Sequence, residues 1–145
     1  MVLMDLRVAA YAVIIDEDDR ILLSRWIEGR RPAWTMPGGG LDAGEDPADA
    51  VRREVREETG YRVQVGDLLG IHSRVIPAGR RVTPDAVAPL HTLRIVYRAR
   101  IVGGRLRNEV GGSTDRADWF ALSGVRRLHR VKLIDIALKM ADVAY

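Results

Sequence analysis

The sequence contains no cysteine. This absence excludes a disulfide framework, a thiolate metal site and a cysteine nucleophile, and it agrees with a reducing cytoplasm. Long apolar runs are missing as well, because the longest, residues 8–15, is far too short to span a bilayer. The N-terminus lacks a basic start and is interrupted by Asp5, which makes it a poor secretory signal. We therefore expect a cytoplasmic protein with no membrane segment.

Lysine is also scarce, since Lys132 and Lys139 are the only two, and arginine supplies the remaining positive charge. The net charge is +3. Arginine forks match phosphate geometry, but genomic base composition explains an arginine-rich chain equally well. No block of consecutive basic residues and no basic platform rich in aromatic residues is found. The sequence therefore gives only a weak signal for a nucleic-acid partner, and we do not expect one.

The chain of 145 residues, 47% of them hydrophobic, is long enough to bury one self-sufficient core. We expect a single domain over residues 1–145. Apolar strands at 8–15 and 20–26 suggest a hairpin, and short strands are expected at 105–107 and 117–122. A long helix is expected over 131–144, with an apolar surface wide enough to meet a second subunit in a homodimer. Strands interleaved with two helices predict an α/β sandwich with a mixed sheet.

The rest of the sequence is organised around residues 38–61, a glycine-rich loop followed by a helix. Asp46 is a good N-cap, Pro47 suits the first helical turn, and Gly60 ends the helix after Thr59. On this helix three glutamates, spaced by three and four residues, share one face, namely Glu54, Glu57 and Glu58. Clustered carboxylates repel one another unless a cation neutralises them, and oxygen ligands suit Mg²⁺ or Mn²⁺. The alternative is a solvated acidic face stitched by pairs such as Arg53 with Glu57.

The complete spacing favours the metal site. Gly39, five residues, Glu45, seven residues, and then Arg53-Glu54-Val55-x-Glu57-Glu58-x-Gly60-Tyr61 resembles the Nudix box at every position, with Tyr61 where an aliphatic residue is more usual. The preceding Trp34-x-x-Pro37-Gly38-Gly39 is similar to the approach segment of that family. The resemblance implies an α/β/α architecture, with the box as a loop and helix beside the sheet.

The resemblance also implies roles for the residues of the box. Glu57 and Glu58 would be the principal metal ligands, and Glu54 would be a third ligand or the base that deprotonates water. The carbonyl of Gly38 matches a further metal ligand of the family. Supporting roles fall to Arg53, which would orient the carboxylates by ion pairing, and to Glu45, which would pair with Arg53 or stabilise the helix dipole.

Residues outside the box are assigned on weaker grounds. Among the acids before Trp119, which are Glu109, Asp115 and Asp118, we favour Asp115 as an additional catalytic acid, with an ordinary solvated acid as the alternative for each. Arg25 and Arg74 are expected to contact substrate phosphates, and the backbone of Gly39 to approach the substrate closely. The arginine row of the alternating segment 91–101, which is Arg94, Arg98 and Arg100, is expected to face solvent, with a phosphate-contacting wall as the alternative.

The resemblance implies hydrolysis of a nucleoside diphosphate derivative by metal-activated water. Substrates would be small nucleotides such as nucleoside triphosphates, ADP-ribose or nucleotide-sugars, with no feature that chooses among them. Two alternatives remain open at this point. One is a Nudix-like domain without catalysis that senses a nucleotide or binds a partner, and the other is hydrolysis at the capped or triphosphorylated 5′ end of RNA.

Overall fold

The computed structural model describes residues 3–145, which form two sheets, two α-helices and two short 3-10 helices. The strands are β1 Asp5–Val13, β2 Arg20–Trp26, β3 Ala33–Thr35, β4 Gly38–Gly40, β5 Tyr61–Ile76, β6 Leu90–Gly104 and β7 Thr114–Ala121. The helices are α1 Pro47–Thr59 and α2 Lys132–Met140, and the 3-10 turns are Ala78–Arg80 and Leu122–Arg127. Within residues 3–145, no helix is long and apolar enough to cross a membrane.

One sheet is mixed and the other is antiparallel. The mixed sheet has the order β4-β1-β6-β5, in which β1 and β6 run parallel, and the second sheet has the order β3-β2-β7. Successive side chains of β1 point to opposite faces. Ala10 and Ala12 therefore pack with Val51 of α1, whereas Val13 packs in a second cluster with Leu138 of α2. The predicted sandwich with a mixed sheet is confirmed.

The predicted hairpin between the first two long strands is wrong. Both edges of β1 are already occupied, by β4 on one side and β6 on the other, so β2 has no free edge to pair with. Only a single bridge joins Ile15 to Ile21, after which β2 continues into the second sheet. The turn between the strands is fixed by the Asp16 carboxylate, which accepts hydrogen bonds from the amide groups of residues 18 and 20.

Helix α1 begins and ends where the sequence predicts. The Asp46 side chain accepts a hydrogen bond from the Ala48 amide at 2.9 Å, and Gly60 adopts the left-handed conformation with a φ of 80°. The predicted strand at residues 105–107 is wrong, because the Arg107 amide instead donates to the carbonyl of Thr59 at the end of this helix. The C-terminal helix is also shorter than predicted, since it ends at Met140.

Candidate active site

A cavity of about 530 Å³ opens where the two sheets meet beside α1. Its lining combines the glycine strand β4 with Glu54 and Glu58 of α1, and it continues onto β1, β5, β6 and the start of α2. A volume of this size lies within the usual range for small-molecule sites. The cavity therefore unites the acidic face of α1 with the interior face of the mixed sheet.

The glycines of β4 allow this close packing. A Cβ atom on Gly39 would lie only 2.9 Å from the carboxylate of Glu54, and one on Gly38, whose φ is 146°, would collide with the backbone of β1. The amide of Gly38 donates a hydrogen bond to Glu58 Oε2 at 3.1 Å. Glycine is required at position 38 because a side chain would collide with the backbone of β1, whereas a side chain at position 39 would displace the Glu54 carboxylate.

Glu58 is the most unusual side chain of the site. It is only 1% exposed, and its Oε1 atom has no hydrogen-bond partner within residues 3–145. Burial raises the pKa of Glu58 well above its usual value, and the nearby Glu54 raises it further, whereas the Gly38 amide lowers it. Among the described residues, the buried Ser24 Oγ also has no hydrogen-bond partner. A buried carboxylate oxygen without a partner is costly, and a bound cation would remove that cost.

Arg53 organises the carboxylates around it. Its guanidinium donates to both oxygens of Glu45, at 2.8 and 2.9 Å, to Glu54 Oε1 at 3.0 Å and to the carbonyl of Gly40 at 3.1 Å. It also lies 3.5 Å from Glu57 Oε2. The hydrogen bonds from Arg53 lower the pKa of Glu45 to about 2. The Arg53 side chain thus connects the loop before α1 to the acidic face of that helix.

Glu57 lies at the edge of the site, and its side chain is half exposed. Burial raises its pKa, as do the charges of Glu54 and Glu109, while Arg53 lowers it. Glu109 therefore lies close enough to α1 to act on it, although it belongs to the loop before β7. Its Oε1 atom accepts hydrogen bonds from the amide and the hydroxyl of Thr114, at 3.2 and 2.8 Å.

The carboxylate oxygens of α1 are suitable ligands for a divalent cation, although they do not form a preformed metal site. Among the described residues 3–145, no three histidine or acidic side chains are gathered closely enough to form a metal site. The nearby donors are nevertheless all oxygen atoms, as Mg²⁺ and Mn²⁺ prefer. The partnerless Glu58 Oε1 and the half-exposed Glu57 are the groups that a cation would draw together.

The structure brings some of the residues predicted outside the box into the cavity and leaves others out. Arg74 lines the cavity. Arg25 and Asp115 instead bind each other through two hydrogen bonds of 2.8 Å, and neither is among the residues of the described chain that line the cavity. The Arg25 guanidinium lowers the pKa of Asp115. This pair connects β2 to β7 at the bulge beside Trp26.

Two residues that line the cavity, Arg7 and Arg94, were not among the predicted site residues. The expectation that the arginine row of β6 faces solvent is wrong for Arg94, because the face that carries it is covered by the second sheet and α2, as its neighbour Val96 in the core shows. The other two arginines of the row are exposed as expected. Glu109, one of the three acids predicted from the sequence, is like Asp115 not among the described residues that line the cavity.

Comparison with known proteins agrees with this geometry. The NUDIX domain model matches residues 5–138. An ADP-ribose pyrophosphatase of Methanocaldococcus jannaschii is 33% identical over 116 residues, 79% of this chain and 62% of that protein. An RNA pyrophosphohydrolase of Cereibacter sphaeroides is 46% identical over 111 residues, 74% of this chain and 55% of that protein. A solved NUDIX hydrolase from Nitrosomonas europaea, 25% identical, superposes with a TM-score of 0.78 over 95% of this chain and 89% of that chain.

The chain therefore belongs to the Nudix hydrolase family, as the box predicted. It spans between about half and two thirds of the length of these two relatives. The acidic face of α1 and the glycine strand beside it lie within the residues that the domain model matches. The residues that line the rest of the cavity come from other strands and loops.

Proposed function

We propose that this protein is a Mg²⁺-dependent pyrophosphohydrolase that cleaves the diphosphate linkage of a small nucleotide derivative, with Mn²⁺ as an alternative cation. The observation that carries the proposal is the buried Glu58, whose Oε1 atom has no partner while its other oxygen is fixed by the glycine strand. Such an arrangement costs stability in the absence of a cation. The relatives named as pyrophosphatases support the same reaction class.

Glu57, Glu58 and Glu54 would hold the cation, with the carbonyl of Gly38 as an additional ligand. When bound, a divalent cation neutralises the diphosphate and lowers the pKa of a bound water. Arg53 holds Glu54 in place through its 3.0 Å contact, and Glu45 in turn holds Arg53. Positioning of this kind keeps the ligands aligned and reduces their mutual repulsion.

We further propose Glu109 as the acid outside the box that serves the reaction. Its charge contributes to the raised pKa of Glu57, although within residues 3–145 neither Glu109 nor Asp115 lines the cavity. Its second oxygen, Oε2, is not used in the two bonds to Thr114. Asp115 was the acid favoured from the sequence, but its two oxygens are both engaged by Arg25. Arg25 is therefore proposed to support the fold at β2 and β7, and Arg74 to contact phosphate.

The test is the release of nucleoside monophosphate or phosphate from nucleoside triphosphates, ADP-ribose, nucleotide-sugars and dinucleoside polyphosphates, with Mg²⁺ and with EDTA. We expect turnover of one substrate group only with Mg²⁺. Glu58→Gln and Glu57→Gln should each lower kcat by on the order of a hundredfold, and Mg²⁺ should raise the Tm of the wild-type protein but not that of Glu58→Gln. Glu17→Gln, an exposed acid on the turn before β2, is the control.

Two other outcomes would change the assignment. Absence of turnover with any substrate, together with no effect of Mg²⁺ on Tm, would favour a Nudix-like domain that only binds a nucleotide. Cleavage of a 5′-triphosphorylated oligonucleotide in preference to nucleotides would favour RNA 5′-end hydrolysis. Arg56, Arg105 and Arg107 line a second surface hollow that an RNA chain could follow, and RNA binding there would weaken steeply with salt.

We also propose a homodimer, though not through the surface that the sequence suggested. Most of the apolar surface of α2 is buried within the core. Exposed apolar side chains lie instead on β5, the edge strand of the mixed sheet, at Leu68, Ile71 and Val75. An exposed apolar edge is a surface suited to pairing with a second chain. Sedimentation velocity of the wild-type protein and of Ile71→Lys would test the dimer.

A further inference from the structure

A row of arginines crosses the mixed sheet on the face that lines the cavity. Arg7 on β1, Thr92 on β6 and Arg74 on β5 are direct neighbours in register. Arg94 lies two residues beyond Thr92, so its side chain points to the same face. Three arginines from three adjacent strands, Arg7, Arg74 and Arg94, therefore line one part of the cavity. We call them the arginine wall.

The described residues provide no ion-pair partner for the arginine wall. Across residues 3–145, none of its three guanidinium groups forms an ion pair with a carboxylate. By contrast Arg81, which also lines the cavity, is bound by Asp5 and by a backbone carbonyl. Being unpaired is therefore not common to all arginines of the cavity, although within residues 3–145 Arg80, which also lines it, has no ion pair either.

The three guanidinium groups act on one another. Burial lowers the pKa of Arg94, and the charges of Arg74 and Arg7 lower it further, against the opposite effect of Tyr11. The backbone positions of Arg7 and Arg74 are two strands apart, roughly 10 Å, a distance that long side chains can bridge. The wall is thus a convergent group of like charges, an arrangement that favours binding of an anion.

The wall meets the acidic face at the glycine strand β4. Gly39, against which Glu54 packs, pairs with Ala10 on β1. The Arg7 guanidinium lies beside the neighbouring Gly40, where an added Cβ atom would be 3.5 Å from it. A diphosphate held at Glu54 and Glu58 would therefore present its more distant group to the arginines. That group must be anionic to use them, because guanidinium forks bind phosphate with two parallel hydrogen bonds.

We propose that the arginine wall is a phosphate-binding site that makes this protein selective for a nucleoside 5′-triphosphate, whose additional phosphate reaches Arg7, Arg74 and Arg94. This inference rests on the proposed pyrophosphohydrolase function and narrows its substrate class. ADP-ribose and nucleotide-sugars have neutral hydroxyl groups beyond the diphosphate, which would leave the three charges unmatched. The cavity of about 530 Å³ is large enough for a free nucleotide.

The first experiment measures binding without turnover. Isothermal titration calorimetry in EDTA compares inorganic tripolyphosphate with inorganic pyrophosphate, so that neither a cation nor a reaction contributes. We expect the wild-type protein to bind tripolyphosphate more tightly, and both Arg94→Gln and Arg74→Gln to weaken that binding about tenfold. Arg94 is half buried and Arg74 is exposed, so a folding defect in the first variant leaves the second as the test.

The matched control is Arg100→Gln. Arg100 is an exposed arginine further along β6 that is outside the cavity, and its substitution removes the same charge from the protein. Its affinity for tripolyphosphate should equal that of the wild-type protein. Equal weakening in Arg100→Gln and Arg94→Gln would show that net charge alone attracts the anion, and this would overturn the proposal.

The second experiment uses the reaction itself. Wild-type kcat/KM should be higher for nucleoside triphosphates than for ADP-ribose, and Arg94→Gln should lower it about tenfold more for the triphosphate. An equal loss with both substrates would refute a role in selectivity. Preference for a 5′-triphosphorylated oligonucleotide over the free nucleotide would refute the choice of a small nucleotide.

The two proposals fail in different ways. A protein with no metal-dependent turnover that still binds tripolyphosphate through Arg74 would lack the proposed reaction but retain the anion site. Suppose instead that the protein hydrolyses ADP-ribose with Mg²⁺ and binds tripolyphosphate no better than pyrophosphate. This result would support the pyrophosphohydrolase function and refute selectivity for nucleoside triphosphates.

Discussion

Two sets of arginines lie in or beside the cavity, and they differ in what holds them: Arg53 and Arg81 are paired, whereas the arginine wall is unpaired among the described residues. Arg53 donates to Glu45, to Glu54 and to the carbonyl of Gly40. The arginine wall, by contrast, is made of side chains that form no ion pair within residues 3–145. The first set is part of the protein's own structure, whereas the second is arranged for a ligand. A positive charge alone therefore does not identify a ligand-binding arginine. The side chains that already pair with that arginine must also be known.

Of the substitutions that test this difference, removal of Arg53 should have the largest effect on stability and activity. Arg53→Gln leaves two carboxylates and a carbonyl without their donor, so we expect the free energy of unfolding to fall by about 2 kcal/mol. Misalignment of Glu54 should also lower kcat/KM up to about a hundredfold. Urea denaturation and steady-state kinetics would measure the two effects.

The neighbouring Arg52 offers a matched control for Arg53. It is about half exposed and pairs only with Asp49, one turn earlier on α1. Arg52→Gln should therefore change the free energy of unfolding by less than about 0.5 kcal/mol and leave turnover unchanged. Similar losses in the two variants would mean that the network around Arg53 contributes nothing beyond an ordinary surface pair.

The acids outside the box provide the next test, because Asp115 is held by a paired arginine and Glu109 is not. Glu109→Gln should lower kcat at least about tenfold if its carboxylate serves the reaction. Asp115→Asn should keep kcat within about twofold and lower the free energy of unfolding by less than about 1 kcal/mol, since the pair with Arg25 is one third exposed. The reverse pattern of kcat values would restore Asp115 as the catalytic acid.

A smaller effect should appear in the pH dependence of stability. Hydrogen bonds from Arg53 lower the pKa of Glu45 to about 2 in the folded protein, from an ordinary value of 4.5. A carboxylate with a lowered pKa stabilises the fold fully above its unfolded pKa, and this contribution is lost as the pH falls toward the folded pKa. The difference in unfolding free energy between the wild-type protein and Glu45→Gln should therefore shrink from pH 5 to pH 2. A difference that is constant over this range would contradict the pairing.

The contacts of Arg53 could be predicted from the sequence, whereas the convergence of the arginine wall could not. The box fixes Glu45, Arg53 and the glutamates of α1 in one loop and one helix, so their proximity follows from local spacing. The arginine wall depends on the parallel pairing of β1 with β6, across a large gap in the sequence. No local pattern specifies that register, and alternation within β6 cannot tell which face is covered by the second sheet.

The same limit explains the error about the first two strands. Their apolar composition and the polar turn between them are typical of a hairpin, and both strands do form. What the sequence does not show is that β4 and β6 compete for the edges of β1. Likewise the bond between Arg25 and Asp115 joins residues 90 positions apart. Local elements were therefore predictable, whereas partners distant in the sequence were not.

The smallest expected effect is on the free energy of unfolding of Arg94→Gln. It distinguishes the arginine wall from Arg53 most directly, because this variant should be more stable than the wild-type protein, whereas Arg53→Gln should be less stable. Arg94→Gln removes one of three repelling charges, so we expect the free energy of unfolding to rise by about 0.5 kcal/mol at low salt. The substitution also shortens a half-buried side chain, which could offset the gain by loss of packing. Ionic strength separates the two contributions, since salt screens repulsion and leaves packing nearly unchanged. The gain relative to the wild-type protein should therefore fall as NaCl is raised toward 1 M. A loss of stability that is independent of salt would mean that the protein itself holds Arg94 in place, and the arginine wall would then belong with Arg53.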